Sequence, residues 1–373
     1  MWIFFIDALQ QKGKYKYSFG KYHVFVTALA VYSLLSAIWG INVSDSLTKA
    51  FTYLQILICM SAVYNHYFKS MSVMSLLKVV KWSSYIVSVY SIIYYGYGFV
   101  IQMMTSGIRI DNSYTNVNTI GMLAAIGLVI QIDEFVRRHR ISLEALFCIP
   151  SFIMVVATQS RKALLILLAG ILLVLLLHNV RKGRFIYNLL SIIVILASAI
   201  LVIRYFSTLE IFEGINTRMD YLVSMFTGTG EIGNSARIRD RLIKLGLAIF
   251  KEHPLVGVGI GCPHILAEQV YHFDAYLHNG FVEMLAAGGI VGFVIYYGSY
   301  VYLFWNYYKF RKYRDEAFIL CIVLAIIFLF RDYAMVSLYS KGTYFYFIFF
   351  YLEVEVLKKR KKSVLLKEKK IND

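Results

Sequence analysis

The sequence predicts an all-α fold, a polytopic membrane helix bundle of about ten transmembrane helices with one long external loop that contains an amphipathic helix. Three observations lead there. Apolar residues make up 59% of the 373 and charged residues only 16%, with a mean hydropathy of +0.63, which leaves too little charge to cover a water-soluble surface. Apolar stretches of roughly 20 residues, the length that crosses a hydrocarbon core, recur along most of the chain. Between those stretches, every second loop is basic.

Residues 1 to 10 are apolar but too short to span, and no small-residue cleavage site follows, so no signal peptide is expected. They form either an interfacial segment or part of a longer first helix. Spanning helices are expected at 22–41, 50–68, 82–104, 117–133, 142–158, 163–180 and 186–203, then at 281–305, 317–338 and 343–357. The chain therefore divides into N-terminal transmembrane helices over 1–203, an external loop over 204–280, C-terminal transmembrane helices over 281–357 and a basic tail over 358–373. The basic loops carry Lys12 to Lys21, then Lys69, Lys78 and Lys81, then Arg137, Arg138 and Arg140, then Arg181, Lys182 and Arg184, and finally Lys309 to Arg314. The positive-inside rule puts these loops, the tail and both termini in the cytoplasm.

A net charge of +16 would suit nucleic acid or an anionic membrane face. The basic residues hug the ends of apolar stretches, so membrane lipids are the expected partner and nucleic acid is not. Cys59, Cys148 and Cys321 fall in predicted helices and only Cys262 in the external loop, where one thiol has no intramolecular partner for a disulfide. Neither a C-x-x-C nor an H-E-x-x-H pattern occurs, so no metal and no other cofactor is expected.

Polar residues break the membrane pattern in three places, all on the predicted external side. Thr158, Gln159, Ser160, Arg161 and Lys162 form a turn between two apolar helices, which puts both cations at the membrane surface beside a helix N-terminus. A guanidinium there suits phosphate or diphosphate. Equally, both side chains would snorkel to the interface and set the depth of the helix.

The second place runs from Asn234 to Pro254. Ile238, Leu242, Leu245 and Ile249 follow helical spacing, with Arg237, Arg241 and Lys244 on a neighbouring stripe and Arg239 close by. An amphipathic helix on the outer membrane face fits this pattern. The rest of the loop is near neutral, so its cations point to an anionic ligand, against the alternative of a solvated face.

The third place joins Gly257, Gly259 and Gly261, read as a tight backbone turn that approaches a ligand, to His278 and Asn279 and then to Gly288, Gly289 and Gly292, read as helix-packing glycines. A histidine at a membrane mouth can act as general base, although a lone histidine is more often a hydrogen-bonded structural residue. Arg331 and Asp332, within the ninth helix, are either a buried pair holding helices together or part of the site.

Taken together, these residues resemble the O-antigen ligase and polysaccharide polymerase family of bacterial membrane glycosyltransferases. The resemblance rests on Ser160 to Leu165, on Ser235 and Arg237 through His253, Pro254 and Gly259, and on His278 and Asn279 followed by Gly289 and Gly292, with Asp111 to Asn118 as a weaker echo. It implies inverting, metal-independent glycosyl transfer from undecaprenyl diphosphate at the outer face of the cytoplasmic membrane. His278, Arg161 and Arg237 would then be catalytic, and Arg239, Arg241 and Lys162 would bind diphosphate. The partners it implies are the undecaprenyl-diphosphate-linked oligosaccharide, membrane lipids, and chain-length regulator and flippase proteins. Lys162 departs from the family, where small residues are common after the Ser-Arg pair, and the N-terminus is short for it.

Within the family, the polymerase reading extends a lipid-linked repeat unit in O-antigen or capsule synthesis, and the ligase reading moves the glycan to a lipid or protein acceptor. A rival outside it is a transporter or flippase of lipid-linked glycans. Transporters typically carry internal repeats and ionisable residues near the midplane, whereas here the unusual cations cluster on one face.

Overall fold

Helices make up all the regular structure among the described residues of the computed structural model, which are 17–105, 116–140, 143–179, 187, 190, 193–194 and 234–372. They are α1 (Lys21–Ser36), α2 (Val43–Ser70), α3 (Val73–Tyr95), α4 (Tyr97–Thr105), α5 (Val117–Arg138), α6 (Cys148–Ala157), α7 (Arg161–Asn179), α8 (Asn234–Glu252), α9 (Pro263–Tyr271), α10 (Gly280–Phe310), α11 (Phe318–Ala334) and α12 (Lys341–Asn372). Among the described residues, five helical stretches are long and apolar enough to cross a membrane: Val43–Ser70, Val73–Tyr95, Val117–Arg138, Arg161–Asn179 and Gly280–Tyr313. Residues 1 to 10, the segment before Asn116, the cations at 181–184, most of the helix expected at 186–203 and the loop up to residue 233 lie outside the described residues.

Local chemistry explains where the helices depart from their expected limits. The side chain of Asn42 accepts from the backbone N–H of Ser44 at 2.9 Å and Asp45 at 3.3 Å, so α2 starts seven residues before position 50. The helix expected over 82–104 begins at Val73 and breaks at Gly96, whose φ of +82° suits glycine. The one expected over 142–158 opens with a 3-10 turn, Leu143–Phe147, because Pro150 has no N–H to continue an α-helix backward. The basic tail does not separate from its helix: nothing after Gly342 breaks the pattern, and α12 runs to Asn372.

The chain groups into two compact units, Ser75–Gly233 and Met1–Met74 with Asn234–Asp373. In the first, α5 packs against α6 and α7. Lys81, expected in a loop, is buried in α3, where its Nζ lies 2.7 Å from Glu134 and 2.5 Å from Glu144 and donates to Gln131 at 3.2 Å. Asp133 takes Arg137 and His178, each at 2.9 Å. A buried charge of this kind persists only when paired.

In the second unit the core is aromatic. Phe25 packs against Phe347 at 5.2 Å between centroids, Tyr300 against Phe347 at 5.1 Å and Phe328 against Tyr346 at 4.3 Å. Buried tyrosines hand their hydroxyls to main-chain carbonyls: Tyr22 to Tyr344, Tyr53 to Leu338 and Tyr307 to Phe350. Tyrosines of this kind are thereby compatible with an apolar interior, the ring supplying area and the hydroxyl stitching helices together.

Cys262 is fully buried, its Sγ 3.4 Å from the Asn42 carbonyl and 3.5 Å from Ser46 Oγ, and burial pushes the thiol pKa up. A water-soluble maleimide should leave it unmodified in the folded protein and label it after denaturation, as read by peptide mass mapping.

Candidate functional site

In the Ser75–Gly233 unit, the Thr158 to Ser160 turn is buried and the helix begins at Arg161, two residues before its expected start. Gln159 adopts a left-handed φ of +46° and its amide donates to the Met103 carbonyl. Ser160 Oγ accepts from the Ala163 N–H at 3.3 Å and caps α7. Arg161 and Lys162 are therefore the first two residues of α7, both half-buried. Two cations at the positive end of a helix cost about 0.3–1 kcal/mol each. An anion placed there would reverse that sign.

The same arrangement recurs in the other unit. Arg237, Arg239 and Arg241 occupy the first two turns of α8, which has no acidic residue in its first turn. Leu242 and Ile249 are buried, and Gly246 lies against Val282 and Leu277 of the following segment. The stripe from Leu242 to Ile249 is thus the packing face, while Ile238 remains exposed. Arg237 and Arg241 are exposed and Arg239 is half-buried, with desolvation pushing its pKa down. Lys244 pairs with Asp240 on the surface at 2.7 Å.

After Pro254 the chain turns through Gly257, Gly259 and Gly261, with φ of +68°, +106° and +91°. These glycines hold protein rather than a ligand. The N–H groups of Val258 and Gly259 each donate at 3.0 Å to the carbonyls of Ala286 and Ala287, while Ile290 and Val291 donate to Pro254 and Leu255 at 2.9 and 3.2 Å. Helix α10 is interrupted there, with Gly289 at φ +58°, ψ −161°, and the loop satisfies the backbone groups that the break releases. Gly288 and Gly292 do serve close packing, against the ring of Tyr32.

His278 sits on the segment leading into α10. Its φ of +56° is left-handed, and it is fixed on both sides. The Leu277 N–H donates to Glu283 Oε2 at 3.0 Å, and Asn279 caps α10 by accepting from the Val282 N–H at 3.1 Å. Glu283 is fully buried and also accepts from the Tyr339 hydroxyl at 3.3 Å, which in turn accepts from the Gly261 N–H at 3.2 Å. The start of α10 lies against the end of α11, with Gly280 facing Asp332. Asp332 accepts from the hydroxyls of Tyr297 and Ser337, while Arg331 donates to Thr343 at 2.8 Å and lies over the Phe328 ring. These two residues tie α10, α11 and α12 together.

Residues 146–297 match the family model described as O-antigen ligase. That segment belongs to the O-antigen ligase and polymerase family. No curated protein matches the chain. The O-antigen ligase segment contains all six residues singled out in the sequence: Arg161 and Lys162 in one unit, and Arg237, Arg239, Arg241 and His278 in the other. Alongside this match, the described residues include five helical stretches with the length and apolarity of membrane spans. Sequence reasoning missed Glu283, which fixes the backbone before His278. An acidic residue in the first turn of a helix was the available signal.

Proposed function

We propose that the protein is a polysaccharide polymerase of O-antigen or capsule synthesis. It moves a glycan from undecaprenyl diphosphate to another lipid-linked repeat unit at the outer face of the cytoplasmic membrane, and works with flippase and chain-length regulator proteins. The ten-helix topology, with both termini cytoplasmic and the loop before His278 external, belongs to this reading. One observation supports it above the rest: within the family-matched segment, Arg161 and Lys162 open α7 and Arg237 lies in the first turn of α8, so three cations stand at helix N-termini whose backbone N–H groups also favour an anion.

In this reaction the acceptor hydroxyl attacks the anomeric carbon from the face opposite the diphosphate, so the configuration inverts. The bond from that carbon to the diphosphate oxygen breaks, and the hydroxyl proton passes to an imidazole nitrogen of His278. Arg161 and Arg237, supported by Lys162, Arg239 and Arg241, stabilise the charge that develops on the leaving diphosphate. With a leaving group this good, these cations and one base suffice and no metal is required.

Purified protein in liposomes with a lipid-linked repeat unit should produce a ladder of longer glycans. Arg161→Ala and Arg237→Ala should each lower the rate by about 10²–10³-fold. The description of the matched family favours a second reading, a ligase. Transfer of the glycan to a lipid A core or protein acceptor without a ladder would establish that instead. Transbilayer movement of the substrate with no transfer, unchanged in both variants, would overturn the enzyme reading.

A further inference from the structure

We propose that Lys49, His264, Asp274, Tyr276 and Tyr339 form a sugar-binding subsite that takes one pyranose residue of the substrate glycan; the proposal rests on the glycosyl-transfer reading above. The five residues come from four separate elements of one unit. Lys49 lies in the second turn of α2, His264 at the start of α9, Asp274 and Tyr276 on the segment before His278, and Tyr339 between α11 and α12. The rings of Tyr276 and Tyr339 are 5.7 Å apart and inclined by 39°, and Tyr276 is 41% exposed. Lys49 Nζ donates to the Tyr276 hydroxyl at 2.9 Å and lies 4.7 Å from the centre of the Tyr339 ring. His264 bridges two carboxylates, with Nδ1 2.8 Å from Asp274 and Nε2 3.3 Å from Asp45.

Stability does not account for this grouping. Asp274 is 69% exposed on its side chain, and exposed ion pairs add little to folding free energy. Nor does the chemistry suit phosphate, because Asp45 and Asp274 flank His264 and would repel a second anion. A bound cation is also a poor fit, since no group of three or more His, Cys, Asp or Glu among the described residues is placed to hold a metal.

A pyranose has what the cluster complements. Its C–H faces lie on aromatic rings, and its hydroxyls both donate and accept. Tyr276 and Tyr339 supply the rings. Asp274 supplies acceptor oxygens, Lys49 supplies donors and the Tyr276 hydroxyl, which accepts from Lys49, keeps its own hydrogen to donate.

The cluster also connects to the reacting end. Tyr276 is two residues before His278 on the same segment. The Tyr339 hydroxyl donates to Glu283, and Glu283 holds the Leu277 N–H. A sugar on these rings would bear on the segment that carries the base. Diphosphate recognition by the arginines and sugar recognition by this cluster are therefore separable.

Binding of two probes to the purified full-length protein tests this. One is the repeat-unit oligosaccharide released by mild acid from the native lipid-linked precursor. The other is farnesyl diphosphate, which carries no sugar. Tyr276→Ala and the surface variant Asp274→Asn should each weaken oligosaccharide binding, by roughly tenfold for Tyr276→Ala, and leave farnesyl diphosphate binding unchanged. The same variants should raise KM for the lipid-linked substrate while kcat stays near wild type. The proposal is overturned if the wild-type protein does not bind the oligosaccharide, or if both variants bind it as the wild type does. A protein that binds the oligosaccharide through these residues yet transfers nothing would keep the subsite and reject the enzyme reading. Normal transfer with unaffected variants would do the reverse.

Discussion

Replacing His278 with asparagine is expected to slow glycan transfer by about 10²–10⁴-fold, the contribution of a positioned general base, while the yield of folded protein stays at the wild-type level. Asparagine is the informative substitution because of the backbone. His278 sits at φ +56°, a region that asparagine enters far more readily than alanine. The asparagine variant therefore keeps the turn between Leu277 and Asn279 and removes only the imidazole. Alanine would add backbone strain to the loss of the base. Single-turnover rates for the two variants, with thermal unfolding in detergent as the control, separate these effects. An asparagine variant that transfers glycan at near wild-type rates would remove His278 from the chemistry.

How far the sequence could be read depended on the distance over which each feature is determined. Apolar runs are local, and α5, α7 and the stretch from Gly280 appear close to where hydropathy puts them, while α3 is displaced nine residues toward the N-terminus. Limits were less legible because they depend on single residues, such as Asn42 capping α2 and Gly96 ending α3. The amphipathic reading of α8 matches the burial of Leu242 and Ile249, since a 3.6-residue period contains its own evidence. Lys81 was read as a loop cation because Glu134 and Glu144, which neutralise it, lie more than fifty residues away in sequence.

The candidate site divides in the same way. Arg161, Arg237 and His278 stand out as polar residues in short motifs. Lys49, His264 and Tyr339 do not, because each looks ordinary until α2, α9 and the turn before α12 are brought together. The glycine run at 257–261 suggested a ligand turn, and its real partner is the broken backbone of α10. No local pattern encodes that pairing.

The break in α10 carries the second large expected effect. Gly289→Ala should destabilise the protein by roughly 2–6 kcal/mol, combining about 1–3 kcal/mol for a side chain in a glycine-only backbone region with about 1–3 kcal/mol for overpacking. The added Cβ would collide with the Leu255 carbonyl, which is main chain and cannot swing aside. Moving it would disturb the bonds from Ile290 to Pro254 and from Val291 to Leu255, and with them the glycine turn seated on Ala286 and Ala287. Against a typical stability of 5–15 kcal/mol, that cost removes a large share of the folded population. Gly298, on the same helix, is the internal control. A Cβ there meets nothing within 4 Å, so Gly298→Ala should be neutral or stabilising by up to about 1 kcal/mol. Size-exclusion profiles and melting curves of the two variants test the contrast, and equal stability would mean that α10 does not depend on its interruption. A clear difference would mean that the segment carrying His278 and Glu283 is held in place by a helix that has to be broken eleven residues later.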